Sequence, residues 1–136
     1  MKIKRFGVSL EEDLLKELDF LAKRNKFPNR SQAIRFLIRK NLVEEAWQGN
    51  RKVSGAVVLI YDHHKRELIS KSLDIQHNFA HIILATQHVH LNHHNCLEII
   101  ALKGNAPVLK ELSDKLISLK GVKHGKLVVS ATETVK

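Results

Sequence analysis

Residues 3–42 read IKRFGVSLEEDLLKELDFLAKRNKFPNRSQAIRFLIRKNL. From Arg5 onward the positions alternate, with Phe6, Val8 and Leu10 on one side and Arg5, Gly7 and Ser9 on the other, which is the period of a half-buried strand. Ser9 and Glu12 have the spacing of a capping box, and the acidic run Glu11 to Asp13 suits the positive end of a helix. Leu14, Leu15, Leu18 and Leu21 then recur at helical spacing. Pro28 and Asn29 end that helix and start another: Asn29 is the expected N-cap, with Gln32 at the third helical position. Ala33, Ile34, Leu37, Ile38 and Leu42 form the second apolar stripe. One strand and two helices in about 45 residues cannot bury both stripes unaided, so a partner chain is expected. An antiparallel ribbon with one strand from each chain, laid over four interlocked helices, meets that need.

The charge distribution points the same way. Of 136 residues, Lys and Arg number 23 against 14 Asp and Glu, a formal net charge of +9. Residues 1–52 hold 13 basic against 7 acidic side chains, and residues 53–136 hold 10 against 7. A basic N-terminal end fits a polyanion, because each neutralised phosphate releases counterions. A membrane surface is the competing polyanion. No apolar run approaches the ~18 residues of a spanning helix, and Met1-Lys2-Ile3-Lys4-Arg5 is not followed by a signal-peptide core, so a cytoplasmic protein that does not enter membranes is expected.

Gln48-Gly49-Asn50-Arg51-Lys52 breaks the helical period. The expected division is a DNA-binding domain over 1–48, a linker over 49–54 and a second domain over 55–136. In the latter, Gly55–Tyr61 reads as a strand, Arg66–His81 as a helix, Ile82–Leu91 and Cys96–Leu102 as strands, Pro107–Leu119 as a helix and Gly121–Ala131 as a last strand. The order βαββαβ is the ferredoxin-like unit, making the chain α+β as a whole.

Eight of the nine histidines fall between positions 63 and 94. His63, His64, His93 and His94 read chiefly as solvated loop residues. His88 and His90 lie two apart in a strand and share a face, which by the same alternation holds Ile82, Leu84 and Thr86 and is expected to be partly buried. Paired buried imidazoles repel when protonated, and metal binding resolves that conflict. A hairpin through Leu91 to Asn95 brings Cys96, the single cysteine, beside them. Two imidazoles and a thiolate suit Zn(II), Cu or Ni(II). His77, near the end of its helix, could join from another chain. Glu98 shares the face of Cys96 and is a candidate outer acceptor for a ligand N–H. Cys96 as a nucleophile with His88 or His90 as base is the enzyme alternative, and it lacks an evident oxyanion site. A purely structural or antitoxin-like DNA binder is a third reading.

The N-terminal pattern resembles the ribbon-helix-helix readers, which lay their ribbon in the major groove. With HNFAHIILATQHVHLNHHNCLEIIALKG (residues 77–104) and LKGVKHGKL (119–127) behind it, essentially the whole chain resembles the nickel-responsive transcriptional regulators of the NikR family. That resemblance implies one Ni(II) per subunit, square-planar, held by His88, His90 and Cys96 of one chain and His77 of a neighbour. It implies ACT-like C-terminal domains that build a homotetramer, a dimer of dimers, with DNA-binding pairs at its ends. It implies repression of nickel-uptake genes through double-stranded operator DNA; a zinc- or copper-responsive regulator using the same ligands is the alternative. Arg5, Gly7 and Ser9 match the base-reading positions, Gly7 replacing the usual polar residue. Asn29, Arg30 and Ser31 at the second helix start are placed to hold phosphate, and Lys65 and Arg66 match positions that reach the DNA backbone. Gln32 and Phe36 stand where the family carries acidic residues for an interdomain hard cation.

Overall fold

A computed structural model of the chain describes residues 1–132. It divides into two compact units, Met1–Asn41 and Leu42–Lys136; the last four residues of the second, and of the expected 55–136 domain, lie outside the described residues.

In the first unit, α1 (Glu12–Arg24) is followed by α2 (Arg30–Gln48), whose later turns belong to the second unit. Residues 1–11 form no strand, contrary to the alternation of Phe6, Val8 and Leu10. A strand exists only by hydrogen bonding to a neighbour, and this chain by itself provides none. The Ser9–Glu12 capping box is likewise corrected: α1 begins after Glu11 with no side-chain cap. The second cap is as expected, Asn29 Oδ1 accepting the Gln32 N–H at 3.0 Å.

Arg30 donates to both carboxylate oxygens of Asp19 at 2.8 and 3.0 Å, tying the start of α2 to α1. That hydrogen bond is the main cause holding the Asp19 carboxyl below its ordinary value. With a lowered native pKa, the unfolded chain takes up the proton first as pH falls, so the contribution is present above about pH 4 and disappears on acidification. Asp19→Asn should therefore lower the urea midpoint slightly at neutral pH and leave it equal to wild type near the bottom of the acid limb. An equal offset at both pH values would contradict the pairing.

Phe6, Val8, Leu10, Leu14, Leu18, Leu21, Ile34 and Leu37 line an apolar hollow of about 500 Å³. Phe6, Leu14 and Leu37 remain exposed within one chain. Both stripes read from sequence thus exist, and each is only partly covered, Ala33 being buried and Ile34 half-buried while Leu14 and Leu37 are exposed.

The second unit holds β1 (Lys52–Tyr61), α3 (Arg66–Asn78), a 3-10 turn (Ala80–Ile82), β2 (Ile83–Asn92), β3 (Asn95–Asn105), α4 (Ala106–Ile117) and β4 (Val122–Ser130). Its sheet has the order β2-β3-β1-β4 with every neighbour antiparallel. This is the expected split βαββαβ arrangement. Strand β1 starts at Lys52, inside the stretch read as a linker. Val57, Leu59, Ile100 and Leu102 on one face pack with Leu68, Leu109, Leu112 and Leu116 from the helices.

Trp47 at the end of α2 belongs to this core, although the sequence reading placed it in the N-terminal domain. Its indole N–H donates to the Ser130 carbonyl at 2.7 Å, and a side chain at Gly55 would strike both that ring and the Val128 carbonyl. Glycine at 55 lets α2 end against the sheet.

Candidate metal centre

The antiparallel register determines which side chains can meet. Directly opposed residues share a face, and the β2–β3 hairpin sets His90 opposite Cys96 and His88 opposite Glu98. On the other flank of β3, Tyr61 of β1 lies opposite Cys96. His88, His90, Cys96, Glu98 and Tyr61 therefore occupy one corner of the helix-covered face. The two-residue turn His93-His94 that closes the hairpin makes this possible.

Glu98 is 2% exposed, a carboxylate in a core position. An unpaired charge there would be strongly destabilising, and its oxygens are in fact fully engaged. The Tyr61 hydroxyl donates to Oε1 at 2.7 Å; His88 Nε2 stands 2.9 Å and the Gln76 amide 3.1 Å from Oε2. Gln76 also donates to Ser72 at 3.0 Å, fixing its own position on α3. Burial, and next the hydrogen bond to Glu98, push the Tyr61 phenol far above its ordinary value, so it stays a donor. Cys96 is equally buried, beside Tyr61 on the neighbouring strand.

His90 is held by ring stacking: His63 lies parallel to it with centroids 4.3 Å apart. Desolvation, followed by the neighbouring imidazoles of His64 and His90, holds His63 below its ordinary value.

One expectation needs correction. The face of His88 and His90 is not buried within one chain: β2 is an edge strand, Leu84 is 64% exposed, and the His88 side chain is 52% exposed. Of the residues expected on that face, Ile82 is buried in the core, while Leu84 and Thr86 are exposed. Within one chain His88, His90 and Cys96 are not drawn together on one point, and the fourth expected ligand, His77, is expected from a neighbouring chain. Among the described residues the grouping close enough for a shared ion is Asp62, His64 and His94. His88 turns instead to Glu98, and His77 sits at the exposed end of α3, lining a hollow with Leu73, Asp74, Gln76, Ala80 and Ile83.

The donor chemistry nonetheless fits a transition ion. A thiol and two imidazoles occur on adjacent strands in one register, and a buried carboxylate orients one ring, the arrangement by which proteins fix metal-ligating histidines.

Of the expected DNA-contact residues, Arg5, Gly7 and Ser9 are exposed in residues 1–11, and Asn29 and Ser31 flank the start of α2. Arg30 differs from expectation in having its guanidinium engaged by Asp19. Lys65 caps α3 and Arg66 is its first residue. Lys71 and Lys120, not singled out from the sequence, line the same surface hollow as Lys65 and Arg66. Helical spacing gave a signal for Lys71; Lys120, from the α4–β4 turn, had none.

A basic two-helix module ahead of a four-stranded domain carrying an imidazole–thiol corner defines a class, the ribbon-helix-helix regulators with a metal-binding domain. Comparison with known proteins gives the particular family. The model described as "NikR C terminal nickel binding domain" matches residues 54–130, and "Ribbon-helix-helix protein, copG family" matches residues 4–45. Similar curated proteins carry the name "Putative nickel-responsive regulator". One from Syntrophus aciditrophicus is 51% identical, covering 94% of this chain and 93% of its own. Another from Chlorobium phaeobacteroides is 51% identical over 97% of this chain and 98% of its own, and one from Thermococcus kodakarensis is 44% identical over 97% and 96%. The solved structure of an uncharacterized protein from Thermotoga maritima matches with a TM-score of 0.53 at 20% identity, covering 58% of this chain and 98% of that one, a likeness of fold. The chain belongs to the family of NikR nickel-responsive regulators, which are ribbon-helix-helix transcription regulators and not enzymes. Among the described residues no helix is long and apolar enough to cross a membrane.

Proposed function

We propose that this protein represses nickel-uptake genes in the cytoplasm by binding operator DNA when Ni(II) is bound, one ion per subunit. His88, His90 and Cys96 of one chain would hold the ion together with His77 of a neighbouring chain. The observation that carries this reading is the register of the hairpin, His90 opposite Cys96, with His88 clamped on the buried Glu98. With Ni(II) bound, these four residues would link one chain to its neighbour. Glu98 orients the His88 ring and leaves its other nitrogen to ligate, and Tyr61 and Gln76 fix Glu98.

Exposed His77 and the uncovered edge of β2 are what a site shared between chains requires. Val89, Leu91 and Val128 are exposed apolar residues on the sheet, which favours association of these domains into a tetramer. The uncovered groove of the first unit favours pairing there, with the Arg5–Ser9 segments of two chains forming the ribbon. A ligand that binds one assembly better than others must raise that assembly's DNA affinity reciprocally. Lys65 and Arg66 would add phosphate anchoring.

Fluorescence anisotropy with duplex fragments from upstream of nickel-transport genes, with and without Ni(II), tests the switch. Tighter binding with the metal is expected; equal affinity in both would overturn it. Arg5→Ala should weaken binding of the preferred fragment by about 1–2 kcal/mol, roughly tenfold, while its binding to unrelated DNA changes less. An equal loss on every fragment would reassign Arg5 to the phosphate backbone. Zn(II) or Cu(II) producing the response in place of Ni(II) is the competing outcome.

A further inference from the structure

The family resemblance implies a hard cation at the positions of Gln32 and Phe36, and the first unit by itself shows that these residues do not fit one. Lying four apart on α2, the two share a helix face. Hard cations are held by several oxygens, carboxylates foremost. Gln32 can offer one neutral amide oxygen and Phe36 none. The Phe36 ring packs instead against Phe27, with centroids 5.3 Å apart and planes tilted by 45°, so hydrocarbon stands where a ligand is required.

The surroundings repel a cation as well. Residues 26–40 hold Lys26, Arg30, Arg35, Arg39 and Lys40 and no Asp or Glu. Gln32 stands in the first turn of α2, the positive end of a 19-residue helix, and that turn has no acidic side chain. Asp19, the carboxylate that does reach this helix start, has both oxygens accepting from the Arg30 guanidinium. A cation placed here would meet like charge with nothing to offset it.

We infer that this chain dispenses with the hard cation, its α1–α2 turn being held by side chains instead, and that its nickel-dependent DNA binding needs no potassium. The turn closes without an ion. Lys26 takes a left-handed φ of 59°, and the Phe27 N–H returns to the Ala22 carbonyl at 2.8 Å, which carries the Phe27 ring onto Phe36. Asn29 caps α2 and Arg30 ties it to α1. Only a ligand with different affinities for two states shifts their balance. An ion with no site shifts nothing, so the response is set by nickel alone.

The DNA half of this inference rests on the proposed function; the ion half does not, and the test separates them. Thermal unfolding of the full-length protein, with and without Ni(II), is followed by circular dichroism in potassium chloride and in choline chloride at equal ionic strength. The same two salts serve for anisotropy titrations of the duplex fragments from upstream of nickel-transport genes. Coincident unfolding midpoints are expected, with DNA affinities in the two salts agreeing within about twofold. A midpoint that rises with potassium concentration would overturn the inference, because a bound ion makes the midpoint depend on its concentration. So would DNA binding weaker by about tenfold or more in choline. Failure of Ni(II) to promote DNA binding in either salt would sink the proposed function and leave the midpoints to decide, coincidence supporting the missing ion site and a potassium-dependent rise refuting it. The double variant Gln32→Glu/Phe36→Asp supplies the absent carboxylates and should become potassium-responsive in the same melts. A folded double variant as indifferent to potassium as wild type would overturn the assignment to these two positions. Should it fail to fold, the wild-type comparison still decides.

Discussion

Cys96→Ala is expected to weaken Ni(II) binding at the tight site by roughly 10²–10³-fold, since a four-ligand site stabilised by about 10–16 kcal/mol draws about 3–4 kcal/mol from each ligand. Folding should suffer less. The side chain is small, and its removal leaves a void of one sulfur beside Tyr61 in a face otherwise filled by Leu59, Ile100 and Leu102. The check is competition of the metallated protein against a chelator of known affinity, with thiolate-to-nickel absorption followed in parallel. Persistence of that absorption in the variant would show that sulfur is not a ligand. A large loss of urea stability without added metal would shift the interpretation of Cys96 toward packing.

The second large effect is expected at Glu98. In Glu98→Ala the Tyr61 hydroxyl, the Gln76 amide and the His88 ring lose a common acceptor in a nearly dry corner. An orphaned buried donor costs about 1–3 kcal/mol, and removal of the group that orients a ligand histidine commonly costs about 10–100-fold in metal affinity. Both effects should appear together: a lower urea midpoint without metal and weaker Ni(II) binding. Glu98→Gln keeps an acceptor oxygen and most of the shape, so it should recover most of the stability while retaining part of the affinity loss. Equal Ni(II) affinity in wild type and both variants would leave Glu98 a purely structural residue.

The arrangement of this corner was partly legible in the sequence. Two-residue periodicity places His88 and His90 together, and a short turn before Cys96 predicts a hairpin, so the register opposing His90 and Cys96 follows from local rules. The helical stripes of α1, α2, α3 and α4 and the Asn29 cap are similarly local. What local rules miss is whatever depends on a distant surface. Glu98 is expected from sequence as an outer acceptor for a ligand N–H, but its bonds to Tyr61, 37 residues earlier, and Gln76, 22 residues earlier, depend on the tertiary fold. Trp47 reads as the end of one domain because nothing nearby reveals the Ser130 carbonyl waiting 83 residues on.

The misread parts have a common physical cause. Phe6, Val8 and Leu10 alternate as a strand does, yet this chain holds no neighbour for them to bond, and on β2 Leu84 stays exposed at the sheet edge. Periodicity reports that a face is to be covered without saying by which molecule. Asp62 was not singled out at all: it is 32 residues from His94, and the two meet only because β1 and β2 flank the same strand.

The account's central claim is that the nickel site is assembled from two chains, and subunit mixing tests it most directly. Cys96→Ala and His77→Ala proteins should each bind Ni(II) weakly. Unfolded together and refolded, they should regain tight binding in roughly a quarter of the sites, the fraction in which random pairing joins an intact His88, His90 and Cys96 to a neighbour's intact His77. No recovery in the mixture, with assembly of mixed oligomers verified by mass spectrometry, would contradict a shared site.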